Sequence, residues 1–292
     1  MPSTRDIRRR IKSVKNTAQI TKAMQMVAAS KMRRAQQSAL AGRPYATLMN
    51  QVLAEVLHHA GDFTHPLMES REVRKTGVVL VSSDKGLCGG LNANLMREAA
   101  KYDKAVTHFI CAGRKGSQFV ARTRRHLAAE FTYKDAPLFS EARAISKFAR
   151  ELFLKGDVDR VDVLFTNFVS TLTQKPQVFT LLPLTEIKGV SAGLEGEEMS
   201  GELARGTTEF LFEPSADTVF GALLPHYLNF QVYQILLEAK ASEHSARMVA
   251  MKNATDNARQ LIKDLTLEYN KMRQTAITNE LLEISSAAMA LG

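Results

Sequence analysis

A chain of 292 residues, 45% hydrophobic and 24% charged, has the material for one or two globular units with cores of their own. Its two cysteines, Cys88 and Cys111, and no secretory signal at the Met1 end argue against a disulfide-built secreted scaffold and fit a reducing compartment. No window approaches ~18 consecutive apolar residues, which excludes a membrane-spanning helix. The 39 basic side chains outnumber the 30 acidic ones, and the excess is local: residues 1–45 carry eleven Lys/Arg against Asp6 alone.

In chain order, residues 1–60 read as a coiled-coil helix. Ser3, with Asp6 three positions on, forms a capping signal, and no Gly or Pro follows until Gly42. The row Ile7, Ile11, Val14, Ala18, Thr21, Gln25, Ala28, Met32, Ala35, Ala39 advances in alternating steps of three and four, which is a coiled-coil seam. Its small middle residues let two helix axes approach closely. Gly42 and Pro44 interrupt the pattern, so a bend is expected there, with helix resuming to His59.

Residues 61–214 read as a central Rossmann-like α/β domain with a mostly parallel sheet. Strand candidates are Gly77–Ser82, His108–Ala112, Val161–Val169 and Gln177–Leu182; helix candidates are Leu91–Tyr102 and Arg114–Arg122. Residues 189–206, rich in Gly and Glu, read as an acidic loop.

Residues 215–292 carry the second coiled-coil helix. We expect 215–224 to be a lead-in and a single helix to open at Pro225 and run to residue 289, because no glycine or further proline occurs before Gly292. At 1.5 Å per residue that helix is roughly 100 Å long, more than the ~50 Å diameter of a globule this size. Ala246, Ala250, Ala254, Ala258, Leu261, Leu265, Met272 and Ala276 make a small-residue stripe suited to antiparallel pairing with the first helix. Beyond Tyr269 there is no aromatic residue, yet Ile277, Leu281, Leu282, Ile284 and Met289 keep the helix end apolar. Such an end asks for a smooth, loosely gripping enclosure rather than a deep lock.

Catalytic readings are weak. Ser82–Asn92 and Gly113–Ser117 are Gly-rich turns entering helices, but neither matches a P-loop or dinucleotide fingerprint, so tight-turn packing is the default. Cys88 has no histidine tied to it by a motif, and the adjacent His58 and His59 point apart on a helix; no metal site or cofactor is expected. The basic N-terminal segment leaves three readings: a nucleic-acid binder with an α/β domain, a solvated face, or a surface for an acidic protein partner. The absence of aromatics in the first 44 residues argues against the first.

Three motifs then become recognisable: Ile11–Met32 (IKSVKNTAQITKAMQMVAASKM), Ser83–Asn92 (SDKGLCGGLN) and Ser242–Ala258 (SEHSARMVAMKNATDNA). Together, in this order, they resemble the gamma subunit of the rotary ATP synthase over the whole chain. Ile277–Ile284 is similar to the family's C-terminal signature, with Ser286 where glycine is usual. No inserted dithiol loop is present, and the motifs begin almost at Met1, which points to a bacterial protein.

The resemblance implies a non-catalytic central stalk, one copy per complex. Its two-helix shaft would turn inside three alpha and three beta subunits, and its α/β foot would sit beside epsilon and the c-ring. It implies a peripheral position on the cytoplasmic face of the bacterial inner membrane, reached through the c-ring. By resemblance, Arg273, Gln274 and Thr278 match positions that bind a loop of beta. Lys22, Met24, Lys31 and Arg34 would face beta's acidic lever, and Tyr45, Phe210, Phe212 and Glu213 would meet the c-ring and epsilon.

Overall fold

Ser3 begins the first helix through a reciprocal cap. In a computed structural model describing residues 3–59, 65–184 and 216–291, the Asp6 amide donates to Ser3 Oγ (3.2 Å), while the Ser3 amide and hydroxyl donate to the Asp6 carboxylate (3.3 and 2.8 Å). These bonds hold the Asp6 pKa below its ordinary value. Helix α1 runs Thr4–Ala41 and α2 runs Arg43–His59, broken at Gly42 as expected. Pro44 lies in the first turn of α2, where a missing N–H costs nothing.

The sheet comprises β1 (Thr76–Val81), β2 (Thr107–Ala112), β3 (His126–Phe131), β4 (Arg160–Phe168) and β5 (Gln174–Leu182), in the order β3-β2-β1-β4-β5. The first four are parallel; β5 returns antiparallel to β4. Between them lie α3 (Leu91–Ala100), α4 (Arg114–Arg122) and α5 (Phe139–Leu154). The two-residue period of a strand divides the core. Val78 and Leu80 face Leu95, Ala99 and Val120 of α3 and α4. Val79 and Val81 face the opposite layer, where Ile145, Ala149 and Phe153 of α5 meet Leu228, Val232 and Ile235 of the last helix. This is the mostly parallel α/β arrangement read from the sequence, with β3 and α5 added.

The last helix, α6, runs Ala216–Leu291, 76 residues and ~114 Å. Here the structure departs from the expected start at Pro225. The segment taken as a lead-in is already helical from Ala216, and Pro225 lies inside the helix. Proline there removes one backbone hydrogen bond. Its neighbours Leu224, Tyr227 and Leu228 are buried in the core, and that packing holds the turn in place.

The chain divides into two compact units, Met1–Val27 with Met248–Gly292, and Ala28–Arg247. The division lies inside the long helices, not at residues 60 and 214 where composition changes. The reason is that residues 234–246 of α6 are buried on every side, so this part of the helix is core of the larger unit.

Candidate functional site: the exposed helix end and its basic companion

In the smaller unit, α1 and α6 pair through the expected seam. Ile7 of α1 and Met251, Ala258 and Leu265 of α6 are buried. At its centre Thr21 Oγ1 meets Thr255 Oγ1 at 2.8 Å, and the Thr255 hydroxyl also reaches the Met251 carbonyl (2.8 Å). Thr255, absent from the small-residue stripe read in the sequence, replaces Ala254 as the buried seam position; Leu261 and Ala276 of that stripe are exposed.

Antiparallel pairing at Thr21 and Thr255 places Thr4 about level with Met272. Beyond that level α1 has run out. Every residue from Arg273 to Met289 is exposed, including Ile277 (48%), Leu282 (60%) and Met289 (80%). An isolated soluble helix end would not keep a run of bare aliphatic side chains, whereas a surface meant to be covered would. The hydroxyls of Thr275, Thr278 and Ser286 donate to carbonyls four residues back in α6, so the helix presents smooth, locally satisfied small polar groups beside the aliphatic ones.

Arg273, Gln274 and Thr278 therefore occur together on the exposed stretch, all within two turns. In the same unit, Lys22 is exposed with its ammonium on Gln25 Oε1 (3.3 Å), and Met24 is half-buried. Arg5, Arg8, Arg9, Arg10, Lys12 and Lys15 are exposed as well, which makes α1 a free basic surface.

The other named residues belong to the larger unit. Arg34 is exposed, but Lys31 is half-buried and pairs with Asp135 of its own chain. Tyr45 has its hydroxyl on His226 Nε2 (2.7 Å) and its ring on Phe230 (4.8 Å between centroids), so it also fastens α2 to α6. Phe210, Phe212 and Glu213, with the acidic loop 189–206, lie outside the described residues.

The Gly-rich turns are committed to packing. In the Gly113–Ser117 turn the Gly116 amide donates to Ser82 Oγ (2.8 Å), the Arg114 amide to Asp84 Oδ1 (2.9 Å) and the Lys115 amide to the Ser83 carbonyl (3.1 Å), so the amides that a phosphate would need at that turn are occupied. A Cβ on Gly113, whose φ is +106°, would lie 2.1 Å from the Ser82 carbonyl oxygen. Burial, helped by Glu130, pushes the Cys111 thiol up to about 12, far from a nucleophile's range. Among the described residues no group of three or more metal-ligating side chains occurs, and no helix is long and apolar enough to cross a membrane.

The arrangement of a paired helix base, a bare helix end and an α/β domain has relatives. A family model described as ATP synthase matches residues 3–291. The ATP synthase gamma chain of Opitutus terrae is 50% identical over 292 residues, covering 99% of each chain. The chain belongs to the ATP synthase gamma-chain family. The gamma chain of Methylacidiphilum infernorum is 45% identical over the full length of both chains. Among solved structures, a chain of the central stalk and c-ring of the Tetrahymena thermophila mitochondrial ATP synthase is 25% identical, with a TM-score of 0.60 over 80% of this chain and 99% of that one. A chain from the OSCP/F1/c-ring part of the Euglena gracilis enzyme is 20% identical, with a TM-score of 0.68 over 99% and 94%, and shares the fold.

Sequence reading missed one cluster, formed by Asp135, Lys240, Glu243, His244 and Arg247. Glu243 takes the Lys240 ammonium at 2.9 Å and the Arg247 guanidinium at 2.7 Å. Burial would raise its pKa, but the Lys240 and Arg247 charges outweigh burial and hold it below the ordinary value. The i,i+3 and i,i+4 spacings were readable in the sequence; the burial was not.

Proposed function

We propose that this chain is the central rotor shaft of a rotary ATP synthase. It couples proton-driven rotation of a c-ring to sequential conformational change at catalytic sites carried by beta subunits, and runs in reverse during hydrolysis. The carrying observation is the helix end from Arg273 to Met289, apolar in part, exposed throughout and lacking an α1 partner. In this reading a collar of three alpha and three beta subunits, around one copy of the chain, covers this end; membership of the gamma-chain family supports it.

The chain itself does no chemistry in this reading. A helix pair with different side chains on each face presents a different surface to each of three identical beta subunits, so their affinities for nucleotide differ and exchange as the shaft turns. Affinity must be similar at all three orientations, which favours small, charged and smooth contacts over one deep apolar anchor. Arg273, Gln274 and Thr278 contact a loop of beta; Lys22, Met24 and Arg34, with Lys31 in part, face beta's acidic lever. Tyr45, Phe210, Phe212 and Glu213 form the foot toward epsilon and the c-ring. The complex is attached to the cytoplasmic face of a bacterial inner membrane through that ring.

Reconstitution tests the reading. The purified chain should hydrolyse no ATP alone and should activate a mixture of alpha and beta subunits; no activation refutes it. Because Arg273 and Gln274 are exposed, changing both to Ala should alter stability by no more than about 0.5 kcal/mol while lowering coupled turnover. An unfolded double variant would make the two positions structural.

A further inference from the structure

Helices packed only by aliphatic side chains resist separation better than they resist sliding or turning, because apolar contact has little directionality. The buried part of α6 carries something more directional. Lys240 is 1% exposed, and its ammonium faces Glu243 at 2.9 Å, Asp135 at 3.8 Å and the face of the Tyr133 ring at 4.4 Å. Asp135 in turn holds Lys31 of α1, and Glu243 holds Arg247. Arg247 then reaches the Gly86 carbonyl (3.4 Å) and His244 Nδ1 (3.3 Å).

Five charges thus alternate in sign, Lys31, Asp135, Lys240, Glu243 and Arg247, and cross from α1 through the loop after β3 onto α6. Both carboxylates are held below their ordinary pKa: Asp135 first by its hydrogen bond from Lys31, Glu243 against its burial by Lys240 and Arg247. A rotation of α6 about its axis carries Lys240, Glu243 and Arg247 together and keeps their mutual pairs, but it pulls the buried Lys240 ammonium from Asp135 and from the Tyr133 ring, and Arg247 from the Gly86 carbonyl. Losing these directional, charge-assisted contacts costs more than shifting an aliphatic one.

We propose that this alternating chain is the joint that holds the rotational register of α6 on the α/β domain, with Lys240 as its central positioning residue. The inference rests on the rotor reading: torque entering through the domain reaches α6 without slip because this joint does not turn. None of its members touches a reacting group.

The test uses the complete ATP synthase carrying Lys240→Met, in inverted membrane vesicles, with ATP hydrolysis and ATP-driven proton uptake measured on the same sample. The expected result is assembly at normal stoichiometry, hydrolysis within about two-fold of wild type, and protons pumped per ATP lowered to about half or less. A pumping ratio equal to wild type overturns the proposal, as does an equal fall of hydrolysis and pumping, which is what a merely structural residue gives. Should Lys240→Met fail to assemble, Asp135→Asn decides, since Asp135 is 48% exposed: a lowered ratio supports the joint and an unchanged one overturns it. Failure of the rotor reading would look different, because wild-type vesicles would then show no coupling at all.

Discussion

His244 gives the chain a pH-dependent stability whose size follows from its surroundings. Its ring is 2% exposed in the larger unit. Burial is the main cause that lowers its pKa from 6.5 to about 4; Glu243 and Asp135 pull it back up, and Arg247 and Lys240 push it further down. Arg247 can only donate, so Nδ1 is the acceptor and the ring proton is on Nε2, in the neutral form. The sign follows from linkage. Between these two pKa values the unfolded chain binds a proton that the folded chain does not, so stability is full above the unfolded value of 6.5 and is lost as the pH falls toward about 4. Going from about pH 7 to about pH 5, this residue alone should remove about 2 kcal/mol. Replacing it by His244→Gln should flatten the curve by that amount in urea unfolding followed by far-ultraviolet circular dichroism. His65 and His108, whose pKa values burial also lowers, act in the same direction but are present in both proteins and cancel in the difference. Parallel stability curves for wild type and variant across this window would refute the argument.

The helix pair and the sheet offer two more tests. Thr255→Val alone removes the hydroxyl pair across the half-buried seam, leaving Thr21 only its bond to the Ala18 carbonyl (3.2 Å), and should cost about 1 kcal/mol in thermal unfolding, whereas Thr21→Val with Thr255→Val should be nearly neutral, because apolar groups of the same shape replace both partners. Gly113→Ala should cost about 3 kcal/mol or more, since φ is +106° and the new Cβ would meet the Ser82 carbonyl at 2.1 Å. Soluble yield and melting temperature would show it, and an Ala variant as stable as wild type would mean the β2–α4 turn relaxes freely.

What the sequence revealed depended on whether a residue's environment is made by its neighbours in the chain or by distant segments. The Ser3–Asp6 cap, the seam from Ile7 to Ala39 and the buried runs of β1 and β2 are local patterns, and each appears where its period placed it. Strand β3 escaped notice because, as an edge strand, it lacks any fully buried residue and so shows neither alternation nor an apolar run. The start of α6 was misplaced because the burial of Leu224, Tyr227 and Leu228 against the sheet, a tertiary effect, outweighs the local penalty of Pro225.

Helix α6 inverts the usual relation between polarity and burial, and that inversion carries the functional argument. Its inner part buries Gln231, Gln234, Lys240, Ser242, Glu243 and His244, while its end exposes Ile277, Leu281, Leu282, Ile284 and Met289. Neither half would be chosen by a chain that only had to fold alone. Buried charges are kept in the first half because they pair in a chain of fixed geometry, which gives directionality at a cost in desolvation. Aliphatic side chains left bare in the second mark a surface fit to be covered. The rotor reading asks for both properties in one helix, a base that does not turn in its socket and an end that turns freely in its collar, and in that reading the two halves divide them between buried ion pairs and smooth exposed carbon.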